Sequence, residues 1–141
     1  IEKLQVFINL YPYSEFTAEA NQMISELQEK LEQKDFEIAK QYFKIRDYRS
    51  AIRASEIFIA GFPGTKYREA ALLNKFRASY VIAVNSVALK KLDRLVELQQ
   101  QQEVILRYYP ETLFLDELED KMNTVNSEIE KYNQTVTTLT K

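Results

Sequence analysis

The chain has 141 residues, of which 19 are basic, 21 are acidic and 45% are hydrophobic, and it contains no His or Cys. Without these two residue types it has no Ser-His-Asp triad, Cys-His nucleophile, zinc finger or disulfide framework. Two Gly and three Pro are too few for the many turns of a β-sandwich or barrel. No run approaches the roughly 20 apolar residues of a membrane-spanning helix. We therefore predict an all-α protein that is not an enzyme and binds no cofactor or metal.

Hydrophobic periodicity and turn residues predict about seven antiparallel helices. Residues 1–12 lack an initiator Met and a leader sequence and read as the second helix of a truncated repeat, so we expect the chain to be a fragment. The last helix is predicted over 112–134, and residues 135–141, with four threonines, are expected to be frayed. Between these ends, helices are predicted over 15–33, 35–46, 48–61, 66–92 and 95–108, with breaks at Asp47–Tyr48 and near Asp93.

A frame of similar residues recurs around each of the three prolines. An apolar residue stands five positions before the proline and an aromatic residue directly before it, while a hydroxyl follows after two positions and a second aromatic after four. Proline ends the incoming helix because it has no N–H, and the hydroxyl can cap the next helix. Each frame is therefore predicted to join two helices by a short corner. The frames are Phe7, Tyr11, Pro12, Ser14 and Phe16; Phe58, Phe62, Pro63, Thr65 and Tyr67; and Ile105, Tyr109, Pro110, Thr112 and Phe114.

Residues 32–63 resemble the tetratricopeptide repeat, a helix–turn–helix unit of 34 residues. Ala39 and Ala51 fall at the two small positions where the helices of such a unit cross closely. Tyr42 and Tyr48 fall at its aromatic positions. Two residues depart from the pattern. Ser55 stands where a large aromatic residue is usual, and Phe58 stands where a small residue is usual.

The predicted fold is a right-handed tetratricopeptide-type helical solenoid over residues 1–134. Each helix pair in such an array buries its apolar stripe on its neighbours, so stability accumulates repeat by repeat. The predicted parts are the truncated repeat 1–12, a repeat with its preceding helix 15–63, a divergent repeat 66–110 and the C-terminal helix 112–134.

Four segments carry a closer resemblance: Tyr11-Pro12-Tyr13-Ser14-Glu15-Phe16, Ala39-Lys40-Gln41-Tyr42-Phe43, Tyr48-Arg49-Ser50-Ala51-Ile52 and Phe62-Pro63-Gly64-Thr65. They are similar to the C-terminal half of the BamD (YfiO) family of lipoproteins, the tetratricopeptide component of the β-barrel assembly machinery in Gram-negative outer membranes. The resemblance covers about residues 1–75, and the chain departs from the better-known members after that point.

The resemblance implies a non-enzymatic, lipid-anchored scaffold at the periplasmic face of the bacterial outer membrane. Its protein partners would be the barrel-forming assembly subunit, bound through that subunit's periplasmic domains, and other assembly lipoproteins. Membrane association would come only through a lipid anchor absent from this fragment. The alternative is another bacterial periplasmic tetratricopeptide adaptor, which would bind a peptide or protein in its concave groove.

The net charge of −2 hides a strong segregation of charge. Residues 1–39 carry 3 basic and 8 acidic side chains, residues 40–94 carry 12 and 4, and residues 95–141 carry 4 and 9. Two interpretations stay open: neighbouring helices neutralise one another, or the basic centre docks an acidic protein partner. Nucleic acid is not expected, because the chain is slightly acidic and has no reader motif. On the docking interpretation the partner-binding residues are Phe36, Lys40, Phe43, Lys44, Arg49, Arg53, Lys90, Lys91 and Arg94.

Overall fold

The computed structural model describes residues 1–140, which form six α-helices and no β-strand. This confirms the all-α prediction, although the helices number six rather than about seven. Each helix packs against the next one along the chain, and α2 also packs against α4. The helices are α1 (Glu2–Leu10), α2 (Thr17–Lys44), α3 (Tyr48–Gly61), α4 (Arg68–Val84), α5 (Ala88–Tyr108) and α6 (Leu115–Leu139).

Helix α2 is continuous, whereas the sequence pattern predicts two helices, over 15–33 and 35–46. It spans Thr17–Lys44, a length of 28 residues. Residues 33–35, at which the break was predicted, remain helical. Residues 33–35 contain no Gly or Pro that would end the helix. An Asp such as Asp35 is favoured at the start of a helix, but it does not by itself end a helix that is already running. The merged helix accounts for the lower helix count.

The break predicted near Asp93 lies instead at residues 85–87, between α4 and α5. Two polar side chains there, Asn85 and Ser86, donate hydrogen bonds to carbonyls one turn earlier, at 2.8 and 2.6 Å. Such bonds compete with the backbone pattern of the helix. The extended backbone of Val87, the N-cap of α5, then redirects the chain. Asp93 is an exposed residue inside α5.

The three proline frames form corners with nearly the same backbone geometry. The residue before each proline has φ angles of −128°, −130° and −133° and ψ angles of 62°, 69° and 65°, in chain order. Its N–H donates to the carbonyl of the apolar residue four positions earlier, at 2.9, 3.0 and 2.8 Å. This bond closes the last helical turn before the proline. The repeated frame in the sequence therefore corresponds to a repeated structure.

The hydroxyl of each frame acts just ahead of the next helix and is not its N-cap. In all three corners the hydroxyl oxygen accepts a hydrogen bond from the N–H of the aromatic residue two positions later, at 3.2, 3.1 and 3.2 Å, in Ser14, Thr65 and Thr112. The N-caps are those aromatic residues, Phe16 for α2, Tyr67 for α4 and Phe114 for α6. The helices consequently begin three residues after the hydroxyl.

Two apolar clusters form the core, and α4 contributes to both. The first joins α2, α3 and α4 through Phe36, Phe58 and Ala71. The second joins α4, α5 and α6, and its fully or almost fully buried members are Leu73, Phe76, Ala83, Leu95, Leu98, Ile105, Leu118, Met122 and Val125. Because one helix serves both clusters, the first half of the chain and α6 are linked through α4.

A buried polar contact joins α2, α3 and α4 beside the first cluster. Asn74 is 7% exposed, and its Nδ2 donates to the Ala39 carbonyl and to the Ser55 hydroxyl, both at 3.1 Å. Ala39 and Ala51 are fully buried. The small Ser55, which departs from the tetratricopeptide pattern, leaves room for the Asn74 amide and bonds to it. The unusual residue Ser55 is therefore matched by Asn74 on the next helix.

Helix α6 continues to Leu139, past residue 134 and into the segment that was expected to be frayed. The hydroxyls of Thr135, Thr137 and Thr138 each donate to the carbonyl four residues earlier, at 2.8–3.0 Å. These side chains are exposed, and the bonds hold them along the helix surface. Residue 141 of the predicted tail lies outside the described residues.

Candidate partner-binding surface

Part of the basic centre is neutralised by carboxylates from neighbouring helices. Glu56 pairs with Lys75 at 3.2 Å, and two carboxylates of α6 reach back: Glu117 to Arg77 at 2.6 Å and Glu128 to Lys91 at 3.0 Å. The acidic C-terminal segment thus compensates cations on α4 and α5. For these cations of α4 and α5, the contacts agree with the interpretation that neighbouring helices neutralise one another.

The Arg77–Glu117 pair is the strongest of these contacts. Arg77 donates two hydrogen bonds to the carboxylate, from Nε at 2.7 Å and from Nη2 at 2.6 Å, in the bidentate geometry that strengthens such pairs. Lys121 adds a third contact at 3.1 Å. The Arg77 hydrogen bonds, with help from Lys121 and against the opposing effect of burial, lower the pKa of Glu117 from 4.5 to about 2. The carboxylate is therefore ionised throughout the neutral and mildly acidic range.

We expect Glu117→Gln to destabilise the chain at pH 7, by about 1–2 kcal/mol for a partly exposed, bidentate pair. Because the pKa is lower in the folded state, the contribution of Glu117 is complete above pH 4.5 and disappears as the pH falls towards 2. The variant and the wild type should therefore converge in urea unfolding at pH 2. Glu119→Gln, the same change at an exposed residue of α6, is the control. A gap between Glu117→Gln and wild type that does not change with pH would contradict this assignment.

Four cations around the turn between α2 and α3 have no carboxylate within salt-bridge distance among residues 1–140. Their side chains are exposed, and we call them the basic turn: Lys44, Arg46, Arg49 and Arg53. The nearby carboxylate of Asp47 is the N-cap of α3 and accepts from the N–H and the hydroxyl of Ser50, at 3.2 and 2.7 Å. The basic turn therefore keeps its positive charge.

Arg46 belongs to the basic turn but is not among the partner-binding residues predicted from the sequence. It lies between the helices with a φ angle of 63°, in the left-handed region. Helical repeat positions do not include a residue of the turn, so they give no signal for Arg46. Its position next to Asp47 in a run of cations is the sequence signal for it.

Phe36 is placed differently from the prediction. It is 6% exposed, and its ring stacks on Tyr67 with 4.8 Å between centroids and lies 5.7 Å from Phe58. Lys40 lies over the outer face of the Phe36 ring at 5.4 Å and pairs with Glu37 at 3.6 Å. Phe36 is therefore a core residue rather than an exposed aromatic anchor, and the charge of Lys40 is partly compensated.

The remaining aromatic candidate, Phe43, is half-buried at the end of α2. Its ring packs edge-on against Tyr48 at the start of α3, with 5.5 Å between centroids. Tyr42 is half-buried beside it. These rings hold the ends of the two helices together and so support the basic turn between them.

The three candidates on α5 have three different environments. Lys90 is exposed without an ion pair in the described chain, while Lys91 is paired with Glu128. Arg94 donates from Nη1 to the Ser86 hydroxyl at 2.6 Å and keeps its other donors free of such bonds. Arg94 and Arg49 line the same cavity of about 290 Å³, so the fold brings together two arginines that are 45 positions apart in the chain.

Comparison with protein families identifies the chain. Residues 1–95 match the model of the YfiO family, which is described as outer membrane lipoprotein. The chain belongs to the YfiO family. The match contains α1 to α4, the first two corners and the basic turn, and it ends within α5. No curated protein matches the chain.

Membership of the YfiO family confirms the resemblance found in the four sequence segments. The rest of α5 and the whole of α6 lie beyond the matched region. No helix within residues 1–140 is both long enough and apolar enough to cross a membrane.

Proposed function

We propose that this YfiO family member is a non-enzymatic scaffold of the outer-membrane β-barrel assembly machinery. It docks to periplasmic domains of the barrel-forming subunit and contacts other assembly lipoproteins, at the periplasmic face of the bacterial outer membrane. The family match supports this proposal, because the YfiO family consists of outer membrane lipoproteins. A lipid anchor elsewhere in the whole protein provides membrane attachment.

The proposed architecture is a right-handed tetratricopeptide-type solenoid with a truncated first repeat, a repeat over 15–63, a divergent repeat over 66–110 and a terminal helix over 112–134. The equivalent corners and the packing of each helix on its neighbour support this architecture. An array of this kind presents rigid helix faces over a long surface, which suits the holding of folded domains.

The uncompensated basic turn is the observation that carries the docking proposal. Ion pairs neutralise many cations of α4, α5 and α6, while Lys44, Arg49 and Arg53 protrude free of carboxylates in a chain of net charge −2. An exposed positive patch of this kind steers an acidic partner domain and fixes its orientation. Arg94, which lines one cavity with Arg49, extends the positive surface onto α5.

We expect the triple variant Lys44→Glu, Arg49→Glu, Arg53→Glu to lose binding to the barrel subunit's folded periplasmic domains, by on the order of 100-fold, because attraction becomes repulsion. The measurement is a quantitative pull-down or calorimetric titration at two salt concentrations, and wild-type binding should weaken at the higher one. The matched control reverses Lys3, Lys30 and Lys34, three exposed cations on α1 and α2. Equal loss in both triple variants, or in neither, would argue against docking through the basic turn.

The second candidate is another periplasmic tetratricopeptide adaptor that binds a peptide in a groove. The cavity that Arg49 and Arg94 share favours it, because two arginines attract an acidic side chain of a peptide. An adaptor of this class would bind short peptides and ignore the folded domains of the barrel subunit, so the same titration separates the two candidates.

A further inference from the structure

The apolar residues of α6 form one continuous stripe, which we call the α6 seam. A heptad repeat places apolar residues at alternating intervals of three and four positions, and each of them packs between residues of a neighbouring helix. The seam has this spacing over the whole of α6, so it predicts another helix as the partner of α6 along its whole length. It contains all eight hydrophobic residues of the helix: Leu115, Leu118, Met122, Val125, Ile129, Tyr132, Val136 and Leu139.

Within residues 1–140, only the first part of the seam is covered by other helices. Leu118 and Val125 are fully buried in the cluster that α6 shares with α4 and α5. Tyr132, Val136 and Leu139 are 38%, 41% and 81% exposed, although their spacing continues the same pattern. A contiguous apolar stripe in contact with water is unfavourable and marks an interaction site. The seam therefore continues beyond the helices that bury it.

The exposed part of the seam forms one wall of a groove. The start of α5 forms the other wall, and the cavity between them has a volume of about 420 Å³. Charges at its rim are partly compensated, since Glu128 pairs with Lys91 at 3.0 Å and contacts Lys131 at 4.0 Å. A groove with apolar walls between two helices suits the apolar face of a third helix. Its apolar lining consists of Ala88, Leu92, Leu95, Tyr132, Val136 and Leu139.

We propose that this groove holds the end of α6 from a second copy of the chain, so that two copies form an antiparallel dimer with two-fold symmetry. From Ile129 through Tyr132 and Val136 to Leu139 the intervals are three, four and three positions, which read the same in both directions. An antiparallel copy therefore places its Val136 against Tyr132 and its Leu139 against Ile129. The two-fold axis repeats both contacts, as an interface between identical surfaces requires.

The charges along α6 also fit a second copy. Residues 132–140 contain no charged side chain, so the seam is flanked there by neutral residues such as Asn133 and Thr135. Charges beside a seam normally select the partner helix, and this part of α6 has none that would repel an identical helix. Like charges do not meet in the register given above either. The charged residues before this stretch, Glu128, Glu130 and Lys131, lie at the levels of Thr140, Thr138 and Thr137 of the copy.

The proposed contact is small, so the dimer is weak. Each copy contributes the end of α6 and the start of α5, which is less than the roughly 20–30 residues that each partner brings to a standard interface. We expect a dissociation constant of about 10 µM or weaker. The dimer is therefore dissociated at the low concentrations of unfolding measurements. Because α6 lies beyond the region matched to the YfiO family, the inference does not depend on the proposed docking function.

Sedimentation equilibrium of the full chain, from about 5 µM to about 1 mM, measures the association. We expect a reversible equilibrium between monomer and dimer that does not weaken at high salt, because the contact is apolar. Val136→Glu and Leu139→Glu should each weaken dimerisation about tenfold or more, since a carboxylate would be buried against the seam. Gln134→Glu, at an exposed position of the opposite helix face, is the matched control and should leave the dissociation constant unchanged.

Disulfide formation tests the register, because the chain contains no Cys of its own. An oxidised mixture of Tyr132→Cys and Val136→Cys should give a covalent heterodimer, since these two positions face each other in the proposed dimer. Each variant alone should cross-link far less, because its Cys is displaced by four residues, about 6 Å along the helix axis, from its counterpart. Circular dichroism of every variant shows whether it is folded.

A chain that stays monomeric over the whole concentration range would overturn the proposal. A dimer that neither glutamate variant weakens would also overturn it. If the monomeric chain instead bound phosphatidylglycerol vesicles and Leu139→Glu abolished that binding, the seam would be assigned to a lipid surface and the proposal rejected.

The double variant Lys44→Glu, Arg53→Glu separates this proposal from the docking proposal. It should dimerise like the wild type and lose the folded periplasmic domains. Loss of the dimer in this variant would place self-association on the basic turn and reject the α6 seam. Retention of the folded domains would instead reject docking through the basic turn while leaving the dimer in place.

Discussion

Replacing Ala51 by Glu should unfold the first half of the chain or prevent it from folding. Ala51 is fully buried on α3, which packs against both α2 and α4. A carboxylate there would be removed from water without a partner, at a cost of about 3–5 kcal/mol or more. That loss is a large share of the 5–15 kcal/mol that typically stabilises a domain. Circular dichroism during thermal unfolding measures the effect.

Ala60→Glu is the matched control for this variant. Ala60 lies on the same helix and faces solvent, so the same substitution should change the stability by less than about 0.5 kcal/mol. Ala39→Glu, at the fully buried alanine of α2, should behave like Ala51→Glu. If Ala51→Glu and Ala60→Glu had the same melting temperature, α2 and α3 would not cross at Ala39 and Ala51.

The second large effect is expected from Leu118→Ala on α6. Leu118 is fully buried in the cluster that joins α4, α5 and α6, so the truncation leaves a cavity beside residues such as Phe76 and Ile105. Comparable truncations cost about 2–5 kcal/mol. Since α6 lies beyond the region matched to the YfiO family, this variant asks whether α6 folds together with the matched region.

Leu139→Ala removes the same atoms from an 81% exposed residue of the same helix and should be close to neutral. In denaturant unfolding, Leu118→Ala should lower the midpoint of a single transition. Two separate transitions, of which only one responds to Leu118→Ala, would show that α6 folds independently of the rest of the chain.

The corners were predictable from the sequence because their causes are local. A proline, the aromatic residue before it and the hydroxyl after it lie within a few residues, and each acts through its own backbone or that of a close neighbour. The error concerned the hydroxyl: its bond to the N–H two positions later places it ahead of the helix. A sequence shows that Ser14 can accept a bond but not which of the free N–H groups donates it.

The breaks inside the helical segments were harder to predict. Polar residues interrupt the apolar pattern of α2 at residues 33–35 and so suggest a break, but nothing there ends a helix. The break at residues 85–87 has no such signal, because it depends on Asn85 and Ser86 bonding to carbonyls one turn earlier. Such side chains are common within helices as well, and the extended conformation of Val87 is not visible from its type alone.

The candidate surface was predictable in charge but not in detail. Counting residues located the basic centre, yet the carboxylates that neutralise Arg77 and Lys91 come from α6, 40 and 37 positions later in the chain. Which cations remain free is therefore a property of the folded chain. The same applies to Phe36: its position in the repeat suggested an exposed face, and the packing of Phe58 and Tyr67 around it buries the ring.

The unbroken α2 also sets a fixed separation between the two regions that it connects. At 28 residues it measures about 42 Å, with α1 beside its start and Lys44 at its last residue. It contains neither Gly nor Pro, the usual sources of a bend. A displacement of the first corner must therefore be passed on to the α2–α3 turn as movement of a stiff rod. A rigid α2 fixes the distance between its two ends. A protein bound near α1 and another bound at Lys44 would therefore stay a constant distance apart.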